Sequence, residues 1–242
     1  MISLSDVRLT YPAAQRPVLD GVSLSVGQGE FVSVVGASGC GKSSLLNVVA
    51  GLDRPESGSV EVEGDVALIF QDPALFPWLT AADNVALALH DKGMRRRDRR
   101  AAASELLGLV GLSETGEKRP HELSGGMRQR VAIARALARG ANVLLMDEPF
   151  SALDAITRDA LHGELSTLWK ERGLTVLFVT HNVREAVTLG QRVALMSGKP
   201  GRVERVWTVD EGFPRDPASN AVHELEREIT ESLRTLMSGL HV

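Results

Sequence analysis

Residues 31–52 read FVSVVGASGCGKSSLLNVVAGL, and the fold turns on this stretch. FVSVV is a short apolar run of the kind buried in a sheet. GASGCGKSS (36–44) is a glycine-rich turn that fits G-x-x-x-x-G-K-[ST]. SSLLNVVAGL (43–52) has helical spacing. Strand, glycine loop and helix in that order form a phosphate cradle. The chain must wrap round phosphate oxygens and aim successive N–H groups inward, which Gly36, Gly39 and Gly41 allow. Ser38 belongs to the same cradle, and the side chains of Ala37 and Cys40 matter little there, because main-chain N–H groups make the contacts. The helix that follows adds its positive N-terminus. Lys42 is expected to reach the β- and γ-phosphates, Ser43 to place its hydroxyl on Mg²⁺, and Ser44 to end the cradle.

A metal-nucleotide site also needs carboxylates, and VLLMDEP (143–149) supplies two at the end of an apolar strand. Asp147 is the expected Mg²⁺ residue, acting through water because Mg²⁺ keeps much of its hydration shell. Glu148 is the expected base for an attacking water. TVLFVTH (175–181) ends in His181, which at the carboxyl end of a parallel strand points into the crevice where α/β ligands bind. There it can hydrogen-bond a γ-phosphate and position the water. Gln71, ending VALIFQ, shares that geometry and is a candidate sensor of metal or water. Tyr11, the only tyrosine, ends the first strand and offers a ring to stack on adenine.

Working outward, VRLTY, GVSLSV and GSVEVEGDVALIF (58–70) read as further strands. The texture changes at Asp72. DPALFPWLTAADNVALAL is a proline-punctuated loop and then a helix for which Asp83 is the expected cap, and it exposes Phe76, Trp78 and Leu79. MRRRDRRAAASELLGLVGL (94–112) is helical, with an apolar side at Leu106, Leu107, Val110 and Leu112. Its arginines read as a solvated face. HELSGGMRQRVAIARALA (121–138) places Ser124, Gly125 and Gly126 at the mouth of an amphipathic helix, a second arrangement suited to an anion. Residues 75–138 therefore read as a helical subdomain inserted between 1–74 and 139–215 of an α/β body. VLLMD, TVLFVT and RVALMS (192–197) are continuous apolar strands typical of a parallel sheet. DAITRDALHGELSTLWKERG (154–173) connects two of them and stops at a glycine. The tail, 216–242, carries Val222, Leu225, Ile229, Leu233 and Leu236 on one helical stripe and is expected to dock on its own body.

The bulk numbers exclude several classes. The chain has 242 residues, 43% hydrophobic and 24% charged, with a net charge of −4. That is a globular composition without the basic field of a nucleic-acid binder. A single cysteine rules out an internal disulfide and fits a reducing compartment. MISLSDVRLTYP lacks the basic and apolar regions of a signal peptide. The apolar runs VALIF and VALAL (85–89) fall far short of the ~20 residues of a membrane span.

The order of motifs resembles that of the ATP-binding subunits of ABC transporters along nearly the whole chain. The matching set is Tyr11, GASGCGKS, Gln71, LSGGMRQR (123–130), VLLMDEP, SALD (151–154) and His181. The resemblance implies a single ABC ATPase domain: a P-loop NTPase (RecA-like) core, an N-terminal antiparallel β subdomain and the inserted helical subdomain. It implies ATP and Mg²⁺ as cofactors, and ATP sandwiched between two copies paired head to tail. Ser124, Gly125 and Gly126 would then meet the γ-phosphate held by the other copy, and Asp154 would link the two sites. It further implies integral membrane permease subunits as partners, gripped through a groove beside the Gln71 loop. A periplasmic or extracellular solute-binding protein would act indirectly, and the chain would sit peripherally on the cytoplasmic face of the plasma membrane.

FPWLT with NVALAL, Met127 in LSGGM, and SGKPGRV (197–203) resemble importers of nitrate, sulfonates, taurine and related anions. The alternative is an ABC-type ATPase acting on nucleic acid or ribosomes. Such proteins usually carry paired ATPase domains, a long coiled-coil insertion or zinc-binding cysteines, none of which is present here, so no nucleic acid is expected. LSGG and His181 argue against a P-loop kinase, and a free-standing ATPase favours import over export.

Overall fold

The computed structural model describes residues 1–12, 15–90, 93–213, 215–216 and 218–239, so the last three residues of the tail lie outside the described residues. In chain order the strands are β1 (Ile2–Leu9), β2 (Leu19–Val26), β3 (Phe31–Gly36), β4 (Ser57–Val62), β5 (Val66–Ile69), β6 (Val143–Asp147), β7 (Thr175–Thr180), β8 (Arg192–Ser197) and β9 (Arg202–Thr208). The helices are α1 (Lys42–Val49), α2 (Ala81–Leu87), α3 (Arg96–Leu109), α4 (Gly125–Ala138), α5 (Ala155–Arg172), α6 (Val183–Leu189) and α7 (Asn220–Gly239).

β5, β6, β7, β3 and β8 form a parallel sheet in that order, with β9 antiparallel on the β8 edge. Every residue of β3 and β7 is buried, as expected of central strands covered on both faces. β1, flanked by β2 and β4, makes a separate antiparallel sheet. This is the α/β core with an antiparallel β subdomain that the motif order implied. Register aligns the carboxyl ends: Val35 faces Thr180, Gly36 faces Met196, and Asp147 faces Val179. The phosphate loop, the carboxylate pair and His181 thus leave the sheet along one edge.

α2, α3 and α4 pack on one another, and their apolar faces join Phe31, Leu144 and Phe178 in one continuous core. The helical insertion is therefore fused to one face of the sheet. Its first helix starts earlier than Asp83 suggested. Thr80 is the cap, its hydroxyl accepting from the Asp83 N–H at 3.1 Å. Ala81 and Ala82 are buried and already helical, so Asp83 lies in the first turn, where its charge still favours the helix. The tail docks as its stripe suggests: Val222 and Ile229 are buried against Val183, Val187 and Trp207. Among the described residues no helix is long and apolar enough to cross a membrane.

Candidate active site

The loop between β3 and α1 is built round Gly41, which caps α1 with φ 99°. A Cβ there would lie 2.8 Å from the Leu19 side chain, so both backbone and space demand glycine. The buried Lys42 ammonium donates to the carbonyls of Gly36 at 2.8 Å and Ala37 at 3.1 Å. It also stands 3.9 Å from Glu148 Oε1. The Ser43 hydroxyl stands beside the Asp147 carboxyl. Burial pushes the Asp147 carboxyl up from its ordinary range, the Ser43 hydroxyl opposes this, the Glu148 charge adds to it, and Lys42 partly offsets it. An acid held with such a deficit of positive charge beside a hydroxyl offers two hard oxygen donors. These suit a Mg²⁺ that completes its shell from water and phosphate.

Glu148 follows β6 in the left-handed region, φ 45°, which costs a non-glycine residue energy. The turn is held because its N–H donates to Val179 O at 2.9 Å, while the Ser151 hydroxyl donates to its carbonyl, also at 2.9 Å. The result aims Glu148 Oε2 at His181 Nδ1, 2.8 Å away. Lys42, Ser43, Asp147, Glu148 and His181 are thus brought together from β3–α1, β6 and β7.

Behind His181 lies a buried network that the sequence reading missed. The Thr180 hydroxyl donates to Glu185 Oε2 and accepts from the Asn182 N–H at 3.0 Å. Glu185 Oε1 meets His162 Nε2 of α5 at 2.9 Å, and the His162 ring rests on Phe150. The readable signal was an acidic residue in THNVREA whose helical position faces inward.

Tyr11 sits beside the first turn of α1. Its hydroxyl is 2.7 Å from Asp53 Oδ2 and 3.2 Å from the Ser44 hydroxyl, so Ser44 is engaged with Tyr11. Burial pushes the Tyr11 hydroxyl's pKa up. Gln71 is exposed in the loop after β5. That loop is held from α4: Arg135 donates to the Pro73 and Ala74 carbonyls, both at 2.8 Å, and Gln129 to Phe70 O at 3.4 Å. Asn84, fully buried, bonds the N–H and carbonyl of Phe76 and fixes the FPWLT turn. Beside it runs an open groove of about 650 Å³, with Leu52, Phe70, Phe76 and Leu87 exposed along it and Arg135 in its wall. Trp78, 67% exposed, leans on the Phe76 ring.

Ser124 caps α4, its hydroxyl accepting from the Met127 N–H at 3.2 Å. The two glycines after it answer a packing demand. A Cβ on Gly126 would lie 2.6 Å from Thr157 Cγ2, and one on Gly125 would lie 2.9 Å from Leu153 Cδ2. Asp154 caps α5 at the same place, accepting from the Thr157 N–H at 2.9 Å and its hydroxyl at 2.7 Å. Those two bonds hold the Asp154 carboxyl below the ordinary range. The Ser124 and Asp154 turns therefore form one unit. It is placed apart from the phosphate loop: α4 packs on α2, α3, β5 and α5, whereas α1 packs on β3, β4, β6 and β7.

Comparison with known proteins gives consistent matches. A family model described as ABC transporter matches residues 19–151. The taurine import ATP-binding protein TauB of Sinorhizobium fredii is 51% identical over 215 residues, covering 84% of this chain and 80% of that protein. The bicarbonate transport ATP-binding protein CmpD of a Synechocystis strain is 43% identical over 228 residues, covering 89% and 81%. Among solved structures, the ATP-binding cassette MJ0796, in a dimeric post-hydrolysis state bound to ADP and Pi, superposes with TM-score 0.77. It shares 37% identity, over 88% of this chain and 100% of that one.

Proposed function

The chain belongs to the ABC transporter family as an ATP-hydrolysing subunit, and from that premise we propose that it drives import of a small sulfonate- or bicarbonate-type anion. The observation that carries the catalytic reading is the convergence of Lys42, Ser43, Asp147, Glu148 and His181 round one glycine loop. In this reading the main-chain N–H groups of Gly36–Ser44 hold the phosphates, Tyr11 lies against the base, and Lys42 turns from its carbonyls to the β- and γ-phosphates. Glu148 takes the proton of the attacking water. His181, tethered to it at 2.8 Å, orients that water and the γ-phosphate. Ser43 and Asp147 would hold Mg²⁺, with Gln71 a further candidate donor, and the ion would supply positive charge against the phosphates.

The cradle and the Ser124–Gly126 turn open on separate parts of the chain, and this supports a head-to-tail pair of copies. In such a pair the turn of one copy covers the γ-phosphate held by the other. The MJ0796 cassette, which this chain resembles, is a dimer. The open groove beside Phe76 sets exposed Leu52, Phe70 and Leu87 next to Arg135 and Arg139, which suits a short amphipathic helix of a permease subunit. The chain then sits on the cytoplasmic face of the membrane.

The test is reconstitution in liposomes with a candidate permease and its solute-binding protein. ATP hydrolysis should rise when the binding protein is loaded with taurine or another sulfonate, or with bicarbonate. The same liposomes should accumulate that solute only when ATP is supplied on the side of this chain. ATP turnover indifferent to every loaded binding protein and permease would refute the import role while leaving the ATPase assignment standing.

A further inference from the structure

The segment SGKPGRV has no part in the reaction above, yet it lies against the phosphate loop. β8 turns back into β9 through Gly198–Gly201, and the base of this turn is pinned to β2. The Gly201 N–H donates to Val18 O at 2.8 Å, and Gly201 O accepts from the Asp20 N–H at 3.1 Å. The Ser197 hydroxyl donates to Glu204 at 2.8 Å, closing the hairpin. The approach is close: a Cβ on Gly201 would lie 2.0 Å from the Cys40 carbonyl. At the tip, Lys199 reaches over the loop. A Cβ on Gly39 would lie 3.5 Å from its ammonium. Among the described residues Lys199 has no ion-pair partner.

We propose that Lys199 is a second cation of the nucleotide site, acting on the α- and β-phosphates from the outer side of the loop. The inference rests on the nucleotide reading given above. Main-chain N–H groups at Gly39–Lys42 are the ones a P-loop turns toward those phosphates. A nucleoside diphosphate brings about three negative charges to a cradle in which Lys42 is the only lysine, and that cradle belongs to a chain of net charge −4. Lys199 stands by Gly39, whereas Glu148, assigned to the γ-phosphate together with the His181 bonded to it, meets the ammonium of Lys42. Its attraction is therefore the same for ADP, for ATP and for the transition state. Such uniform binding sets affinity and leaves kcat alone. The pinned turn supplies the position, so only the charge at its tip is needed.

The test is titration of a fluorescent ADP analogue, and of ATP, into the wild type and Lys199→Ala, Lys199→Glu and Lys199→Arg. The exposed side chain makes all three variants foldable. Lys199→Ala should weaken ADP and ATP alike by about three- to tenfold, and Lys199→Glu by more. Lys199→Arg should stay within about twofold, and the losses should shrink as salt is raised. The kcat at saturating ATP should not change. Equal ADP affinity in the wild type and Lys199→Glu overturns the inference. A loss confined to ATP under dimer-forming conditions also overturns it, since Lys199 would then be meeting the second copy. Lys42→Ala serves as the control: if neither it nor the wild type binds ADP, the nucleotide site itself is wrong and the role of Lys199 falls with it.

Discussion

Gly36–Ser44 and Ser124–Gly126 are both glycine-bearing helix starts, and they differ in what surrounds them. The first is ringed by titratable groups: Lys42 on its own loop, and Asp147, Glu148 and His181 from neighbouring strands. The second is packed by Leu153, Thr157 and Leu161 too closely for a Cβ, and its charged neighbours, Asp154 and Arg128, lie on the adjoining cap and turn rather than facing one another as a cluster. Glycine serves backbone conformation at Gly41 and clearance at Gly126. Helix starts leave their first N–H groups without intrahelical partners. In the first loop those donors share a site with Lys42 and the Glu148 carboxylate. In the second they share it with close apolar packing and the Asp154 cap. Similar composition thus hides two different surroundings.

The sharpest way to break this contrast is to disable one loop at a time. Glu148→Gln should keep nucleotide binding and lower turnover by about 10²–10⁴, the usual worth of a positioned base. With ATP it should accumulate a dimer on size exclusion. Adding Ser124→Arg, which blocks the second loop while leaving Lys42 and Ser43 intact, should abolish that dimer and leave ATP binding to the monomer. Near wild-type turnover in Glu148→Gln would remove Glu148 as the base. A dimer persisting in the double variant would remove Ser124–Gly126 from the shared site.

A smaller effect separates conformation from clearance. Gly126 is helical, so alanine is acceptable to its backbone, yet the new methyl would meet Thr157 Cγ2 at 2.6 Å. Gly126→Ala should cost ~1–3 kcal/mol in urea unfolding, the usual penalty for an overpacked contact. Thr157→Ser removes that methyl and keeps the hydroxyl bonded to Asp154. The pair Gly126→Ala/Thr157→Ser should therefore recover much of the loss, a coupling that a double-mutant cycle reads directly. No recovery would mean that Gly126 is there for another reason.

The phosphate loop was legible because its chemistry is local: glycines, lysine and serine lie within one turn, flanked by a strand and a helix whose periods differ. Asp147 and His181 were legible as polar residues ending apolar strands, and the parallel register then brought them to one edge. What stayed hidden depends on contacts between distant segments. The Thr180–Glu185–His162 network joins α5 to α6 across the core and has no spacing of its own. The clash that makes Gly126 necessary comes from Thr157 on another helix. The cap of α2 was misassigned to Asp83 because Thr80 and Asp83 are both good capping residues, and burial of Ala81 and Ala82 decides between them. The continuity of the helical insertion with the sheet core is likewise a property of packing.

The last difference between the two loops is one of stability. Asp147 is charged, partly buried and shifted up by burial, while the Ser124–Gly126 turn buries no charge. An acid whose folded pKa is raised destabilises the fold once both states are ionised. That cost is absent below the ordinary aspartate value of about 3.9 and grows as pH rises through the folded value. Asp147→Asn removes the charge and keeps an acceptor for Ser43. Without nucleotide, its melting temperature at pH 8 should exceed that of the wild type by at most about 2–4 °C, the shift that ~1 kcal/mol gives in a chain of this length. The gap should narrow as the pH falls and close below about 3.9, where the wild-type carboxyl becomes protonated in both states. The variant should also lose the extra stabilisation that MgATP gives over ATP alone. A lower melting temperature at pH 8 would mean that Lys42 and Ser43 already compensate the charge, and that the Asp147 end of the molecule carries no more strain than the Ser124–Gly126 turn.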